Sequence, residues 1–296
     1  MKIAVTGSTG LIGSHLVALL EAEGHEVIRL VRRPPQRPGE LEWNPAGGKL
    51  PVDGVSGAEA VIHLAGENIQ GRWTRAKRQA VLESRVKGTS LLAHAVAEMA
   101  NPPRAFLCAS AAGYGNRGEE VLTDQSELGE DFLGQVCRAW ETAATPAQRK
   151  GIRTVHLRFA MILDRHAGAL AAMLPAFRLG IGGRVGSGRQ FWSWVAIDDA
   201  VAAIRHVLVT AELAGPVNIC SPNPITNRDF TRALGHALGR PTFLPVTATA
   251  ARLAFGQVAD ELLLASIRAV PQKLLDSGFS FKHPQIEQAL EVVLRR

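Results

Sequence analysis

Gly7, Gly10 and Gly13 stand three residues apart, directly after a short apolar, β-branched stretch, Lys2 to Thr6. That spacing builds a phosphate cradle. Gly7 allows a tight turn, Gly10 lets the backbone approach a pyrophosphate, and Gly13 lets the helix from Leu11 pack on the strand. The helix then presents its free N–H groups and the positive end of its dipole to the phosphates. Thr6, Thr9, Leu11 and Ile12 lie in the same loop and first turn, so with the glycines they are the expected dinucleotide contacts.

A second pair of residues bears on which dinucleotide. The next strand, Glu26 to Val31, runs into Arg32-Arg33 with no Asp or Glu at its end. A carboxylate there would bond a ribose 2′-hydroxyl and repel a 2′-phosphate, whereas guanidinium groups pair with the phosphate. The expected cofactor is NADP(H). The alternative, two arginines that are merely loop surface charges, stays open.

Candidates for reaction chemistry are fewer. Tyr114, the sole tyrosine, follows Ser110 near a strand end, as a proton donor lining the nicotinamide pocket or as a packing or substrate-wall residue. Glu67 follows another strand and is either a base or an exposed loop carboxylate. Gln190-Phe191-Trp192-Ser193-Trp194 comes after a glycine-rich loop. Gln190, Trp192 and Trp194 there make either a substrate wall with a polar handle or a buried hinge. His63 lies in an apolar strand and reads as a core or cofactor-proximal histidine, and Asp198-Asp199 as the acidic start of a helix. The nine histidines and three cysteines have no metal-ligand spacing, so no metal site is expected.

The elements that must position these groups alternate. Strands read at Ala60–Ala65, Arg104–Ser110 and Ile152–Arg158, with helices at Thr74–Met99 and Leu133–Lys150 between them. That alternation predicts an α/β fold, a Rossmann-type doubly wound parallel sheet over residues 1–165. Residues 166–296 read as a smaller C-terminal substrate lobe, although about 195–220 returns to the sheet. The net charge of +6 comes from dispersed arginines, apart from Arg32-Arg33 and the terminal Arg295-Arg296, and aromatics make up only 5%. Nucleic-acid binding is therefore not expected. No apolar tract is long enough to span a bilayer, and scattered cysteines without a signal peptide fit a cytoplasmic protein.

Several segments resemble the extended short-chain dehydrogenase/reductase superfamily of nucleotide-sugar epimerases and dehydratases. They are Thr6 to Gly13, Val61-Ile62-His63-Leu64-Ala65-Gly66, and Ser110-Ala111-Ala112-Gly113-Tyr114-Gly115. A narrower resemblance spans nearly the whole chain, through Leu41-Glu42-Trp43-Asn44-Pro45, Ser84-Arg85-Val86, Val136-Cys137-Arg138-Ala139-Trp140-Glu141 and Pro271-Gln272-Lys273-Leu274-Leu275. It is to the atypical "epimerase family protein" group, NADP-binding and with a C-terminal domain of unknown function. The resemblance implies that Leu64, Ala65 and Gly66 flank the cofactor and that Ser110 meets the cofactor or substrate. It also implies a homodimer paired through two long helices.

The superfamily carries out acid–base chemistry with a Tyr-x-x-x-Lys pair on the helix after Ser110. Here Leu133 and Cys137 fill those slots, or Phe132 and Val136 in the shifted register. Neither register holds a titratable pair. Two functions are left open: an oxidoreductase or isomerase acting on a small polar metabolite, sugar-like or other, with Ser110 and Tyr114 at its centre, and a non-catalytic NADP(H)-binding redox sensor or scaffold.

Overall fold

The computed structural model describes residues 1–295; Arg296, half of the terminal arginine pair, lies outside the described residues. Seven strands form one sheet: β1 (Lys2–Thr6), β2 (Glu26–Val31), β3 (Glu40–Glu42), β4 (Ala60–His63), β5 (Ala105–Ala111), β6 (Arg153–Phe159) and β7 (Gly215–Ile219). Every pairing is parallel, in the order β7-β6-β5-β4-β1-β2-β3.

Side chains alternate between the two faces of a strand, and here both faces are covered. Ile3, Val5, Ile62 and Leu107 face one core with Leu16 and Leu20 of the helix Leu11–Ala22 and Val201 and Ile204 of the helix Ile197–Val209. Ala4, Val61, Phe106 and Cys108 face the other, with Leu92 and Val96 of the helix Arg75–Glu98 and Trp140 of the helix Phe132–Thr142. The result is a doubly wound Rossmann-type sheet. Trp140 of that last helix is buried against this chain's own sheet.

The chain's direction of winding reverses between β1 and β4. Ligands of open α/β sheets bind where such a reversal parts the carboxyl ends of two strands. The glycine loop follows β1 and Leu64-Ala65-Gly66 follows β4, so both line the parting.

Two elements differ from the sequence reading. The edge strand β3 is new, hidden in the sequence behind Pro34, Pro35 and Pro38. The helix expected over Leu133–Lys150 is two helices, Phe132–Thr142 and Thr145–Arg149, with Pro146 in the first turn of the second. A proline there lacks the N–H that would continue the first helix but fits a helix start.

Beyond β6 a third core gathers Leu163, Leu174, Trp192, Trp194, Phe230 and Leu290, under the helices Gly168–Arg178, Asn227–Leu238 and Ile286–Arg295. The helix Ile197–Val209 and β7 interrupt this lobe and lie in the sheet layers. No described helix is long and apolar enough to cross a membrane.

Candidate nucleotide site

Thr6 closes β1 with a staple to β4. Its Oγ1 accepts the N–H groups of Leu64 at 3.2 Å and Ala65 at 3.3 Å, and lies 2.6 Å from His63 Nδ1. With both lone pairs used, the hydroxyl donates to Nδ1, which puts the imidazole hydrogen on Nε2. Burial first, then the charge of Arg85, pushes the His63 pKa down to about 3, so the ring is neutral. His63 serves the core, as its apolar strand implied.

The glycines are fixed by backbone approach. Gly7 has φ +66°, and a Cβ on it would lie 2.8 Å from the Leu64 carbonyl carbon. A Cβ on Gly13 would lie 2.1 Å from the Gly7 oxygen, which no side chain can accept. Gly10 donates to the Gly7 oxygen at 2.9 Å, and Ser14 is the first residue of the helix to bond back, to Gly10 at 2.9 Å. The N–H groups of Leu11, Ile12 and Gly13 are thereby left for a ligand. Ser8 Oγ is buried with no hydrogen-bond partner among the described residues.

This loop forms one wall of a groove of about 350 Å³, which Leu30 to Arg33, Trp43 and Leu64 to Gly66 complete. Arg32, Trp43, Ala65 and Gly66 also border a second space of about 670 Å³, walled by Ala80, Glu83, Ser84 and Lys87 of the long helix. The orphaned Ser8 hydroxyl, the free N–H groups and the missing Cβ atoms fit a dinucleotide diphosphate.

The two arginines have different surroundings. Arg33 is held by Glu40 through two bonds of 2.8 Å, and Glu40 also takes Arg37 at 3.2 Å and the Gln36 N–H at 2.8 Å. These bonds, led by Arg33, hold the buried Glu40 carboxyl down at about 2. Arg32 is exposed, borders both spaces and has no hydrogen bond or ion pair among the described residues. It is the guanidinium available to a phosphate. Glu67 borders the larger space, paired with Lys77 at 2.7 Å, which holds its carboxyl below the usual range.

The residues expected to do chemistry are placed otherwise. Ser110, 3% exposed, donates to Glu141 Oε1 at 2.8 Å, and Arg158 grips the same carboxylate at 2.8 and 2.9 Å. Tyr114 is wholly buried and donates its one hydroxyl hydrogen to Asn218 Oδ1 at 2.5 Å, with the Thr123 carbonyl 3.2 Å away, while Arg158 bonds its oxygen at 3.3 Å. Burial raises its pKa to about 12. Tyr114 is therefore a core residue rather than a proton donor facing the groove. Leu133 and Cys137 do fall where the helix meets β5: the Cys137 thiol reaches the Ala111 carbonyl at 3.6 Å, and burial raises its pKa to about 11.

Of the two readings of Gln190, Trp192 and Trp194, the structure favours the buried one over the substrate wall. All three are buried: the Gln190 amide donates to Val185 and Leu263, the Trp192 indole to Leu263, and the Trp194 indole to Asn223. They hold the lobe together. The structure adds Ser8, Trp43 and the helix face Ala80–Lys87 to the site. In the sequence only the Leu41–Pro45 motif hinted at Trp43, and nothing marked it as a groove wall.

A nucleotide groove at the switch point of a doubly wound sheet defines a dinucleotide-binding α/β protein. Residues 3–220 match the NAD dependent epimerase/dehydratase family, and 246–293 match a domain of unknown function. The chain belongs to the NAD dependent epimerase/dehydratase family. It is 43% identical over 290 residues to an epimerase family protein of Mycobacterium tuberculosis, covering 97% of this chain and 96% of that one. It is similar to the crystal structure of the human epimerase family protein SDR39U1 (isoform 2) with NADPH, at TM-score 0.91 and 34% identity over 100% of both chains. A nucleoside-diphosphate sugar epimerase of Corynebacterium glutamicum is 38% identical with TM-score 0.80, covering 98% of this chain and 57% of that one.

Proposed function

We propose that this protein binds NADP(H) in the groove between β1 and β4, with Arg32 reading the 2′-phosphate and the glycine loop holding the diphosphate. The observation that carries the reading is Arg32 itself, a guanidinium bordering both spaces with no hydrogen bond or ion pair among the described residues. NADPH in the structure of the human relative supports the same cofactor. Titration calorimetry tests it: NADPH binds much more tightly than NADH, and equal affinities overturn the reading.

The geometry favours a binding role, a redox sensor or scaffold, over an oxidoreductase or isomerase acting on a small polar metabolite. Ser110 has its hydrogen committed to Glu141, Tyr114 is in the core, and Leu133 and Cys137 supply no acid–base pair. Losing a positioned acid–base group costs on the order of 10² to 10⁴ in rate. The test is the absorbance of NADPH incubated with the protein and a panel of ketoses, nucleotide sugars and quinones. Steady absorbance across the panel supports the sensor. Turnover on any member overturns it and restores the oxidoreductase.

A further inference from the structure

Arg85 lies in the third turn of the helix Arg75–Glu98, half-buried, and its guanidinium points under the loop that follows β4. Nη1 donates to the Glu67 carbonyl at 3.0 Å and the Val81 carbonyl at 3.1 Å, and the group lies 4.8 Å above the Trp140 ring. A Cβ on Gly66 would come 3.3 Å from its Cζ, so the glycine admits the close approach. Fixed on three sides, the guanidinium meets no carboxylate within 4.0 Å among the described residues. Burial accordingly lowers its pKa, with only partial relief from its surroundings. Cys137 and Glu67 offset that burial only in part, so the guanidinium, close against Gly66 where the loop borders both spaces, is placed to take oxygen atoms from outside the chain.

Its position says which oxygens. A dinucleotide spans the two halves of a doubly wound sheet across the switch point. Arg32, at the end of β2, marks the adenosine half, so the nicotinamide half lies on the β4–β5 side. Arg85 stands on that side, between Gly66 at the end of β4 and Cys137 beside the end of β5, and its charge is felt by the Cys137 thiol. Cys137 occupies the slot in which the superfamily pattern puts its lysine.

We propose that Arg85, reaching in from the neighbouring helix, is the cation that binds the ribose and phosphate oxygens of the nicotinamide half, in the place left without a lysine at Cys137. The proposal rests on the NADP(H) reading, and two ligands separate the failure of one from the failure of the other. Adenosine 2′,5′-bisphosphate carries the 2′-phosphate and no nicotinamide. The wild-type chain binds both it and NADPH; no binding of either overturns the cofactor reading itself.

In Arg85→Gln, NADPH affinity falls by about tenfold or more, the worth of charge-assisted bonds, while adenosine 2′,5′-bisphosphate affinity stays within about twofold. Arg85→Lys keeps the charge without the fork and recovers part of the NADPH loss, and it serves alone if the glutamine variant does not fold. Equal losses for both ligands, or no loss for NADPH, overturn the assignment and make Arg85 a brace for the Gly66–Glu67 loop.

Discussion

Ser110 Oγ and Glu141 Oε1 stand 2.8 Å apart, and Arg158 bonds both oxygens of the same carboxylate. The serine hydrogen points into the protein, along a chain of bonds that runs through Arg158 to Tyr114 and Asn218. Groups that would face a substrate in a working acid–base site are here bonded to one another. The network ties β5, β6 and β7 to the helix Phe132–Thr142, and its energetic role is structural.

Tyr114→Phe separates the two roles of this network. Removing the hydroxyl strands the Asn218 oxygen in the core and lowers stability by about 1–3 kcal/mol. NADPH affinity is unchanged. Denaturant melts and calorimetry on the same preparation check both, and a lost affinity with normal stability returns Tyr114 to the groove.

Arg158→Met has a larger effect on stability. It leaves the Glu141 carboxylate, whose side chain is only 14% exposed, without its cation, and breaking one side of a largely buried pair costs up to about 3–5 kcal/mol. The expected result is a melting temperature lower than that of Tyr114→Phe by several degrees, measured by calorimetric scanning.

Arg32→Ala weakens NADPH by about tenfold or more, the value of a charge-assisted bond to phosphate, and leaves NADH nearly unchanged. Arg33→Ala has the smaller effect on NADPH, because Glu40 already holds that guanidinium. Titrations with both cofactors check the order, and Arg33 exceeding Arg32 reverses the assignment.

Gly13→Ala places a methyl carbon 2.1 Å from the Gly7 oxygen, so the loop must move and NADPH binding is lost. Gly24 is the informative control for helix-end glycines, since it has φ +78° with nothing within 4 Å of an added Cβ. Gly24→Ala strains the turn, lowers the melting temperature modestly, and keeps NADPH affinity.

His63 gives the protein an acid limit. Its pKa falls from 6.5 to about 3 on folding. Above pH 6.5 the ring is neutral folded or unfolded, and its contribution is complete. As the pH drops from 6.5 toward 3 only the unfolded chain takes the proton, so stability is lost with falling pH. Melting temperatures from pH 7 to 4 show a steeper decline for the wild type than for His63→Gln.

The sequence exposed the cofactor half of this site because local chemistry dictates it. A turn needing positive φ at Gly7 and a helix needing contact at Gly13 leave a spacing that can be read without a fold. Arg32 and Arg33 looked alike because their difference lies in Glu40, seven residues beyond Arg33 on a strand masked by prolines. Tyr114, Trp192 and Trp194 stayed open between pocket and core for a related reason. Amphipathic rings serve a pocket wall and a core equally well, and only tertiary packing decides between them.

The interleaving of sheet and lobe has a consequence for synthesis. Every residue lining the two spaces lies between Gly7 and Lys87, so the nucleotide groove's own parts leave the ribosome first. Strand β6 must wait for its partner β7, about sixty residues later, and such distant pairing closes slowly. A nascent chain carries its groove while one edge of the sheet is still unpaired, and cofactor bound at that stage would favour the folded form by mass action.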